Sequence, residues 1–503
     1  MEKEVSLDKG LEAVRTKDLV NADGILLDTE GCDRSLKTAK DGHAEDPNDP
    51  VNWSTTKKHC ILFTIAWGAL CADLPATAAI PCIFLQGAQW HMDPSEVNYA
   101  NNLNVLMMGI GGVLWIPMIS FWGRAPVLFW ACICGMFLTL GATLSHDFTT
   151  YYAMRAMMGL FLTAPQTISV AYIKDIFFFH EHARKIGLWA CLYISSPYAG
   201  PLFANFIVDR TGNWRIVFWL SFAVCVLQFI LVVLFLDESY YDRSIPQEQQ
   251  PPRGSRFLRL VGVWQIRNHA NYFYTLRGAV GRQFAIVTKP ALLLLLVAYL
   301  LIFMWAIGIN HTTAILFAAP VAAGGYDFSS ITIGYLYFTP IVAIILGEIF
   351  GHFFNDFLAR RYIHRHKGVF EPEVRLNMIY LSALFMIPGL ILLGFALARH
   401  LHYAIVIVGW GMFVFGVMTT SVAVTTYAID AYPTAPGEVS GLINFMRVIG
   451  GFSVAYFQQP WGQKVGYEAS FGTQAMIVAL SLVPIALLHR YGKNLRFKGY
   501  QIK

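Results

Sequence analysis

The chain has 503 residues, of which 56% are hydrophobic and only 14% charged, and its 37 basic and 32 acidic side chains give a net charge of +5. A soluble globular protein carries ~25% charged residues and a disordered chain has low hydrophobicity, so the composition excludes an ordinary soluble enzyme and a largely disordered protein. The net charge is too small to indicate a nucleic-acid partner. Apolar segments recur from residue 60 to residue 488, which predicts a polytopic membrane protein rather than a single-span receptor.

The chain opens with a polar tail, residues 1–58, which has no apolar core behind a basic start and therefore does not resemble a cleaved signal peptide. We expect the first apolar segment to serve as the insertion signal. A helix needs about 20 mostly apolar residues to cross roughly 30 Å of hydrocarbon. Twelve segments meet this requirement, at 59–84, 97–120, 125–145, 149–173, 186–208, 214–236, 290–318, 331–354, 376–398, 402–425, 439–460 and 470–489.

The predicted spans form two groups of six. The first half covers 59–236 and the second half 290–489, with a long loop over 237–289 between them and a tail over 490–503. Because backbone polar groups in lipid must be satisfied internally, such long apolar runs predict helices and an all-α polytopic membrane fold. Two membrane halves around a site at the midplane is the layout of many secondary transporters.

Basic residues are distributed unevenly between the loops. The loops after the second, fourth, sixth and eighth spans carry most of them, whereas the intervening loops carry little more than Arg210, Arg399 and Lys464. Short loops rich in lysine and arginine stay in the cytoplasm. We therefore expect both termini and the central loop to be cytoplasmic.

Two ionisable residues lie deep in spans of the first half, where each costs ~2.5–3.5 kcal/mol unless it is compensated. Asp73 shares a helix face with Thr77, and Pro75 between them loosens the local hydrogen-bond ladder. Asp73 is predicted to bind a proton or a cationic solute, or else to pair with an arginine of another span. Arg155, on one face with Gln166, is predicted to tune a neighbouring carboxylate or to form a fixed ion pair.

The second half contains two more such residues. Glu348 fits best as a carboxylate that reaches towards the cytoplasm, and a role as a second proton carrier is the alternative. Arg447 aligns with Asn444 at helical spacing and predicts either a cavity lining or a seam between helices. Asn310 and His311, towards the outer end of the seventh span, are further cavity candidates. A histidine there could titrate near neutral pH, but His311 fits better as a hydrogen-bonded structural histidine.

The sequence contains no Walker pattern, no HExxH and no GxSxG. We therefore predict no nucleotide, metal or other cofactor and no enzymatic activity. Transport would be driven by an ion gradient or by the gradient of the solute itself.

Several motifs of the first half resemble those of the major facilitator superfamily, specifically its fungal twelve-span drug:proton antiporters. The loop PMISFWGRAP is similar to the signature GPLSDRxGRRP, which Gly123 and Arg124 match. Ser120 stands where the signature has an acid, and Asp356 of the second half is the residue that the resemblance offers in its place. These residues are expected to latch the cytoplasmic side.

Other motifs extend the resemblance over most of the chain. Arg155 to Gly159 resembles an RxxxG element linked in the family to proton coupling. Gly187 and Gly200-Pro201 resemble the antiporter motif of the fifth span, where small residues permit close helix approach and a bend. EDPNDPVNW before the first span and LDESYYDR after the sixth resemble fungal sequences at the same places. NDFLARRY, FEPEVRL, TTYAIDAYP and INFMRVIGGFSVAYFQQPW resemble the branch that contains histidinol and polyamine carriers and secondary-metabolite exporters.

The resemblance implies a monomeric, proton-coupled secondary transporter that exports a small organic solute by alternating access. Its partners would be that solute, protons and the lipid bilayer, with no nucleic acid. Proton-coupled uptake of an organic cation, such as a polyamine or an amino alcohol, is the alternative. The plasma membrane is the expected location, and the vacuolar membrane is the alternative.

Overall fold

A computed structural model describes residues 18–21, 26–28, 46–243, 245–318, 321, 325–366, 369–432 and 435–497. Most of the predicted tail 1–58 and the last part of the predicted tail 490–503 lie outside these residues. Eleven stretches of the described chain form helices long and apolar enough to cross a membrane. The predicted all-α membrane fold is confirmed.

Twelve long helices occupy the positions of the predicted spans in the described chain. They are α1 (Thr55–Thr77), α2 (Pro94–Trp122), α3 (Arg124–Leu144), α4 (Phe148–Ile176), α5 (Phe179–Thr211), α6 (Trp214–Phe235), α7 (Pro290–Ala318), α8 (Ser330–Arg365), α9 (Asn377–Ala398), α10 (Tyr403–Ala431), α11 (Pro436–Val465) and α12 (Tyr467–Leu495).

Prolines lie at interruptions of four of the predicted spans. The predicted span 59–84 ends as a helix at Thr77, and the chain continues through a short 3-10 turn at Ile80–Cys82 into a separate helix, Ile83–Trp90. Three other helices are broken shortly before a proline, α4 at Thr163, α8 at Tyr337 and α12 at Ser481. The cause is the same in each case, because proline lacks an N–H donor and its ring clashes with the carbonyl one turn earlier.

Each half is a bundle held by its own helix pairs, and three further pairs make the most extensive contacts between the halves. In the first half α1 packs on α5 and α6, and α4 packs between α2 and α3. In the second half α7 packs on α11, and α9 and α10 form an extensive pair. The two halves meet where α2 packs on α11, α5 packs on α8 and α4 packs on α11.

The connection 237–289, predicted as a loop, contains helices at Arg256–Val261, Val263–Arg267, His269–Tyr272 and Leu276–Val287. The last of these lies against α2 and α11. A small sheet was also not predicted: β1 (Asp18–Asn21) pairs with β2 (Leu26–Asp28) in antiparallel register and with β3 (Val369–Phe370) in parallel, which gives the order β2-β1-β3.

Candidate functional site

Asp73 lies at the centre of a buried polar cluster between the two halves. Its Oδ2 accepts hydrogen bonds from Gln166 Nε2 of α4 at 2.7 Å and from Ser196 Oγ of α5 at 3.1 Å. Arg447 Nη2 of α11 lies 3.2 Å from the same oxygen, and the two side chains are 1% (Arg447) and 8% (Asp73) exposed. Three helices of the first half and one of the second thus converge on one carboxylate.

Arg447 has further partners that hold its orientation. Its guanidinium donates to Asn444 Oδ1 at 3.2 Å and lies 4.5 Å from the ring centre of Tyr193. Tyr193 in turn donates its hydroxyl to Asn444 Oδ1 at 2.9 Å, and Asn444 reaches Thr163 of α4 at 3.3 Å. The cluster therefore continues across the interface through both charged and neutral hydrogen bonds, which polarise one another in a medium of low dielectric.

Small residues of α5 allow the helices to approach closely enough to build this cluster. A Cβ added at Gly200 would clash with the backbone of α1 at the carbonyl of Leu74. Pro201 follows inside α5, and its carbonyl accepts from Asn205 Nδ2 at 2.8 Å. The close approach predicted for Gly200 is therefore made towards α1, one turn beyond Asp73.

Arg155 does not contact a carboxylate in the described part of the chain. It is fully buried and donates to the carbonyls of Pro75 at 3.0 Å and Ala76 at 2.6 Å, and to Asn101 Oδ1 at 2.7 Å. Because α1 ends at Thr77, these are carbonyls of its last turn, where a cation interacts favourably with the helix dipole. Among the described residues, Arg155 forms neither an ion pair nor a contact with a carboxylate that it could tune, and a role for Arg155 in coupling stays a prediction.

Asn310 and His311 lie in the same region, on α7. Asn310 Nδ2 donates to the carbonyl of Pro197 at 2.9 Å, and both side chains are buried. Next to them, Thr312 Oγ1 lies 3.3 Å from Gln458 Oε1 of α11. The structure thus brings Gln166 and Asn444 together with Arg447 around Asp73. Arg155 lies instead at the end of α1, and Asn310 faces α5.

We call the end of the bundle at which α1 begins the basic end, because it carries the basic loops after α2, α4, α6 and α8.

Glu348 lies apart from the Asp73 cluster, on α8. A Cβ added at Gly187 of α5 would stand 2.6 Å from Glu348 Oε1. Its Oε2 is buried without a hydrogen-bond partner among the described residues. Gly187 and Glu348 thus form part of the α5–α8 contact. A role for Glu348 in proton coupling stays a prediction.

At the basic end, Arg124 is held by acids that sequence reasoning did not assign to it. Its Nε lies 3.1 Å from Asp175 Oδ2 at the end of α4. Glu238, just after α6, accepts from the backbone N–H groups of Arg124 and Ala125, both at 3.1 Å. Asp356, offered by the resemblance as the missing acid, instead has His352 of its own helix at 3.9 Å.

Further charged residues, from the motifs EDPNDPVNW and LDESYYDR, meet at the same end. Asp237 contacts Lys57 of α1 at 2.7 Å and Arg259 of the central segment at 2.9 Å. Burial by itself raises the pKa of Asp237, but Arg259 and Lys57 outweigh burial and hold that pKa below its usual range. Arg243 lies 2.9 Å from Asp49. Asp49 belongs to EDPNDPVNW, and Asp237 and Glu238 belong to LDESYYDR. These two motifs were therefore the sequence signal from which the acids at this end could have been identified.

The halves touch at both ends of the bundle. At the end opposite the basic end, the rings of Tyr99 on α2 and Tyr456 on α11 stack with centres 5.6 Å apart. Towards the basic end, a Cβ added at Gly437 of α11 would lie 3.9 Å from Ile119 of α2. The α2–α11 seam is therefore closed at both ends, above and below the Asp73 cluster. Asp73 can become exposed to solvent along this seam only if the two halves move apart.

Comparison with known proteins identifies the family. Residues 62–455 match the family model of the Major Facilitator Superfamily. The chain is 23% identical over 463 residues to the "Major facilitator superfamily multidrug transporter mdrA" of Aspergillus fumigatus, with 90% of this chain and 74% of that protein covered. It is 25% identical over 462 residues to the "MFS-type efflux pump MFS2" of Trichophyton rubrum, with coverage of 90% and 75%.

Solved structures are similar in fold alone. The proton:xylose symporter XylE superposes with a TM-score of 0.64 at 12% identity, covering 87% of this chain and 96% of that one. The human organic anion transporter MFSD10 gives a TM-score of 0.58 at 14% identity, with coverage of 85% and 99%. Since the family match spans most of the chain, the protein is a multi-pass membrane transporter of the major facilitator superfamily and not an enzyme.

Proposed function

We propose that this transporter exports small organic solutes in exchange for protons, by alternating access, with its basic end facing the cytoplasm. The observation that carries the proposal is the buried ion pair between Asp73 of the first half and Arg447 of the second. The names of fungal relatives as a multidrug transporter and an efflux pump support export, and the clustering of basic loops at one end supports the orientation. The plasma membrane remains the location we favour.

The pair offers a physical route for coupling. In the closed arrangement the Asp73 carboxylate and the Arg447 guanidinium compensate each other. When Asp73 takes up a proton from the outer solution, Arg447 keeps its charge without a counter-ion, and such an uncompensated buried charge costs about 3–5 kcal/mol. Separation of α11 from α1 relieves that cost by admitting water or solute. Release of the proton to the cytoplasm restores the pair, so that one proton moves inward as the solute moves outward.

The test is export from cells that lack their own related carriers. We expect the protein to lower the accumulation of at least one of a set of labelled toxic organic compounds, and a proton uncoupler to abolish that effect. An asparagine at position 73 cannot bind and release a proton. Accumulation of the labelled compound in cells with Asp73→Asn should therefore rise to the level of cells without the protein, when the variant and the unmodified protein are equally abundant at the cell surface.

Asp209→Asn is the matched control, because Asp209 is an exposed acid near the last residue of α5, at the end of the bundle opposite the basic end. This variant should export like the unmodified protein. The proposal is wrong if Asp73→Asn still exports and remains sensitive to the uncoupler.

A further inference from the structure

The stretch of chain before α7 carries charge of one sign. Residues 249–289 contain no aspartate and no glutamate. The stretch 253–289, which we call the basic stretch, contains seven basic residues: Arg253, Arg256, Arg259, Arg267, Arg277, Arg282 and Lys289. Such a block of like charges repels itself unless acids from elsewhere in the chain or an anionic partner compensate it.

Acids of other segments hold two members of the basic stretch. Arg259 lies 2.9 Å from Asp237, and Arg282 lies 3.3 Å from Glu438 of α11. Arg267 and Arg277, by contrast, are exposed. Their guanidinium groups can therefore reach an anionic partner outside the chain.

Large apolar side chains lie among these arginines. Phe257, Ile266 and Phe284 are 64%, 65% and 68% exposed. In contact with water, each of them would lose the hydrophobic free energy that burial in an apolar medium provides. A partner that suits the basic stretch therefore needs an apolar part as well as an anionic part.

The helix Leu276–Val287 shows how the two properties are combined. Gln283 and Ile286 are buried on the side that packs against α2 and α11. Arg277 and Phe284 are seven positions apart, so they share the opposite face, and both are exposed. A basic residue and an aromatic residue on the outer face of a helix are typical of a helix that lies in the membrane interface.

Two contacts place the beginning of the basic stretch at the ends of membrane spans. Arg256 donates to the carbonyls of Val233 at 2.8 Å and Leu236 at 2.9 Å, where α6 ends. The indole N–H of Trp130, in the second turn of α3, donates to the carbonyl of Val261 at 3.0 Å. The helix Arg256–Val261 is therefore held at the level where α6 ends and α3 begins.

The exposed apolar surface of α6 continues into the basic stretch. Ile230 and Leu234 are exposed on α6, and since this helix is a membrane span, lipid covers them. Phe257 comes directly after the arginine that binds the last turn of α6. The apolar surface of the basic stretch thus adjoins one that the bilayer already covers.

We propose that the basic stretch is a docking surface for the anionic phospholipids of the leaflet at the basic end. Phe257, Ile266 and Phe284 enter the boundary between headgroups and acyl chains, and Arg267 and Arg277 bind the anionic oxygens of the headgroups. Clusters of roughly four to eight basic residues beside a membrane span are the pattern that recognises such lipids. A zwitterionic lipid would cover the apolar side chains without neutralising the arginines, and a soluble acidic protein would do the reverse.

The experiment is amide hydrogen exchange of the purified full chain in nanodiscs, which needs neither substrate nor proton gradient. One bilayer is phosphatidylcholine alone, and the other also contains phosphatidylserine with the same acyl chains. We expect slower exchange over residues 256–287 in the bilayer with phosphatidylserine, because these helices must leave the lipid before they open. The difference should shrink as the salt concentration rises, since salt screens charges at a surface.

Variants separate the charged contact from the apolar one. Arg267→Gln and Arg277→Gln should each reduce the slowing by phosphatidylserine about fivefold, which is the contribution of one basic residue near an anionic surface. Phe284→Ser should speed exchange in both bilayers, because the apolar contact does not depend on the headgroup.

Arg360→Gln with Arg361→Gln is the matched control, since these exposed basic residues of α8 lie at the same end of the bundle but outside the basic stretch. Their loss should leave the effect of phosphatidylserine on residues 256–287 unchanged. Glycerophosphoserine, the soluble headgroup, should not slow exchange when it is added to nanodiscs of phosphatidylcholine.

Three results would overturn the proposal. Residues 256–287 could exchange equally in both bilayers, the α8 control could abolish the effect as fully as Arg277→Gln, or Phe284→Ser could exchange like the unmodified protein in both bilayers. Slowing by glycerophosphoserine equal to that by phosphatidylserine would also contradict it, because the site would then bind a free phosphate group and not the membrane surface.

Discussion

The Asp73–Arg447 contact illustrates how one pair of residues ties together the two halves. Both side chains are removed from water, and the carboxylate has two neutral donors, Gln166 and Ser196, besides the arginine. The net contribution of such a buried pair is small when it is intact, because desolvation offsets the attraction. Loss of one member is costly, since the other charge then stays buried without compensation.

A double-mutant cycle measures this coupling. Asp73→Asn and Arg447→Gln should each lower the free energy of unfolding in detergent by about 3 kcal/mol. The double variant should lose less than the sum, with a coupling energy of ~1–3 kcal/mol. Asp209→Asn with Lys464→Gln, two exposed charges at the end opposite the basic end, should be additive. Additive losses for the Asp73 and Arg447 variants would contradict a direct pair.

The sequence indicated these residues but not how they are arranged. Asp73, Arg155 and Arg447 could be identified because a charge deep in an apolar helix requires compensation. The pairing of Asp73 with Arg447 could not, since the two are 374 residues apart and the register between α1 and α11 depends on packing of the whole bundle. The partners of Arg155 were harder still to predict, because two of its three acceptors are backbone carbonyls, which every residue has.

The turn between α2 and α3 shows how an element boundary depends on a distant segment. Gly123 ends α2 with φ 89° and ψ 169°, a conformation that side chains with a Cβ rarely adopt. Glu238 then accepts from the first N–H groups of α3, where a negative charge also favours the helix dipole. A Cβ at Gly123 would stand 2.5 Å from Glu238 Oε2, so the glycine serves both the turn and the cap.

Gly123→Ala should therefore destabilise the protein by about 1–3 kcal/mol, through backbone strain and displacement of Glu238. Gly472→Ala is the control, because Gly472 lies in the helix α12 and a Cβ there meets nothing within 4 Å. Its effect should be neutral or stabilising, since alanine is the better helix former. Thermal unfolding of the two variants under the same conditions checks this, and equal stabilities would show that the turn is not strained.

Hydropathy predicted the helices more accurately than their interruptions and caps. Long apolar runs are an unambiguous signal, so all twelve long helices were anticipated. The end of α1 at Thr77 was not, although Pro75 was noted, because a proline within an apolar run either bends or ends a helix depending on its neighbours. The short helices of the central segment carry too few apolar residues to be detected in this way. The helix Leu276–Val287 is ordered by contacts with α2 and α11, where Gln283 donates to the carbonyl of Val113 at 3.0 Å.

The whole molecule is closed along its seams, and this state cannot be predicted from composition or motifs. Alternating access requires that one sequence be stable in at least two packings of the halves. The contacts at Tyr99–Tyr456 and Ile119–Gly437 belong to opposite ends of α2 and α11. Transport requires each end to separate in turn, whereas a simple pore would need no such movement.

Cross-linking across the α2–α11 seam tests this movement directly. Cysteines in place of Tyr99 and Tyr456 should be linked by a short bis-methanethiosulfonate, which forms reducible disulfides with both thiols, because the rings they replace stack with centres 5.6 Å apart. The linked protein should lose export, so that accumulation of the labelled compound rises to that of cells without the protein, and reduction should restore export. A second pair at Ile119 and Gly437 should behave in the same way at the basic end.

Two controls accompany this experiment. The protein without added cysteines, treated with the reagent, controls for the thiols that the chain already has. A variant with Trp90→Cys and Trp214→Cys, both in the first half, controls for linkage within one half. If either linked seam still permits full export, the halves do not rock about this interface and the alternating-access mechanism proposed for them is wrong.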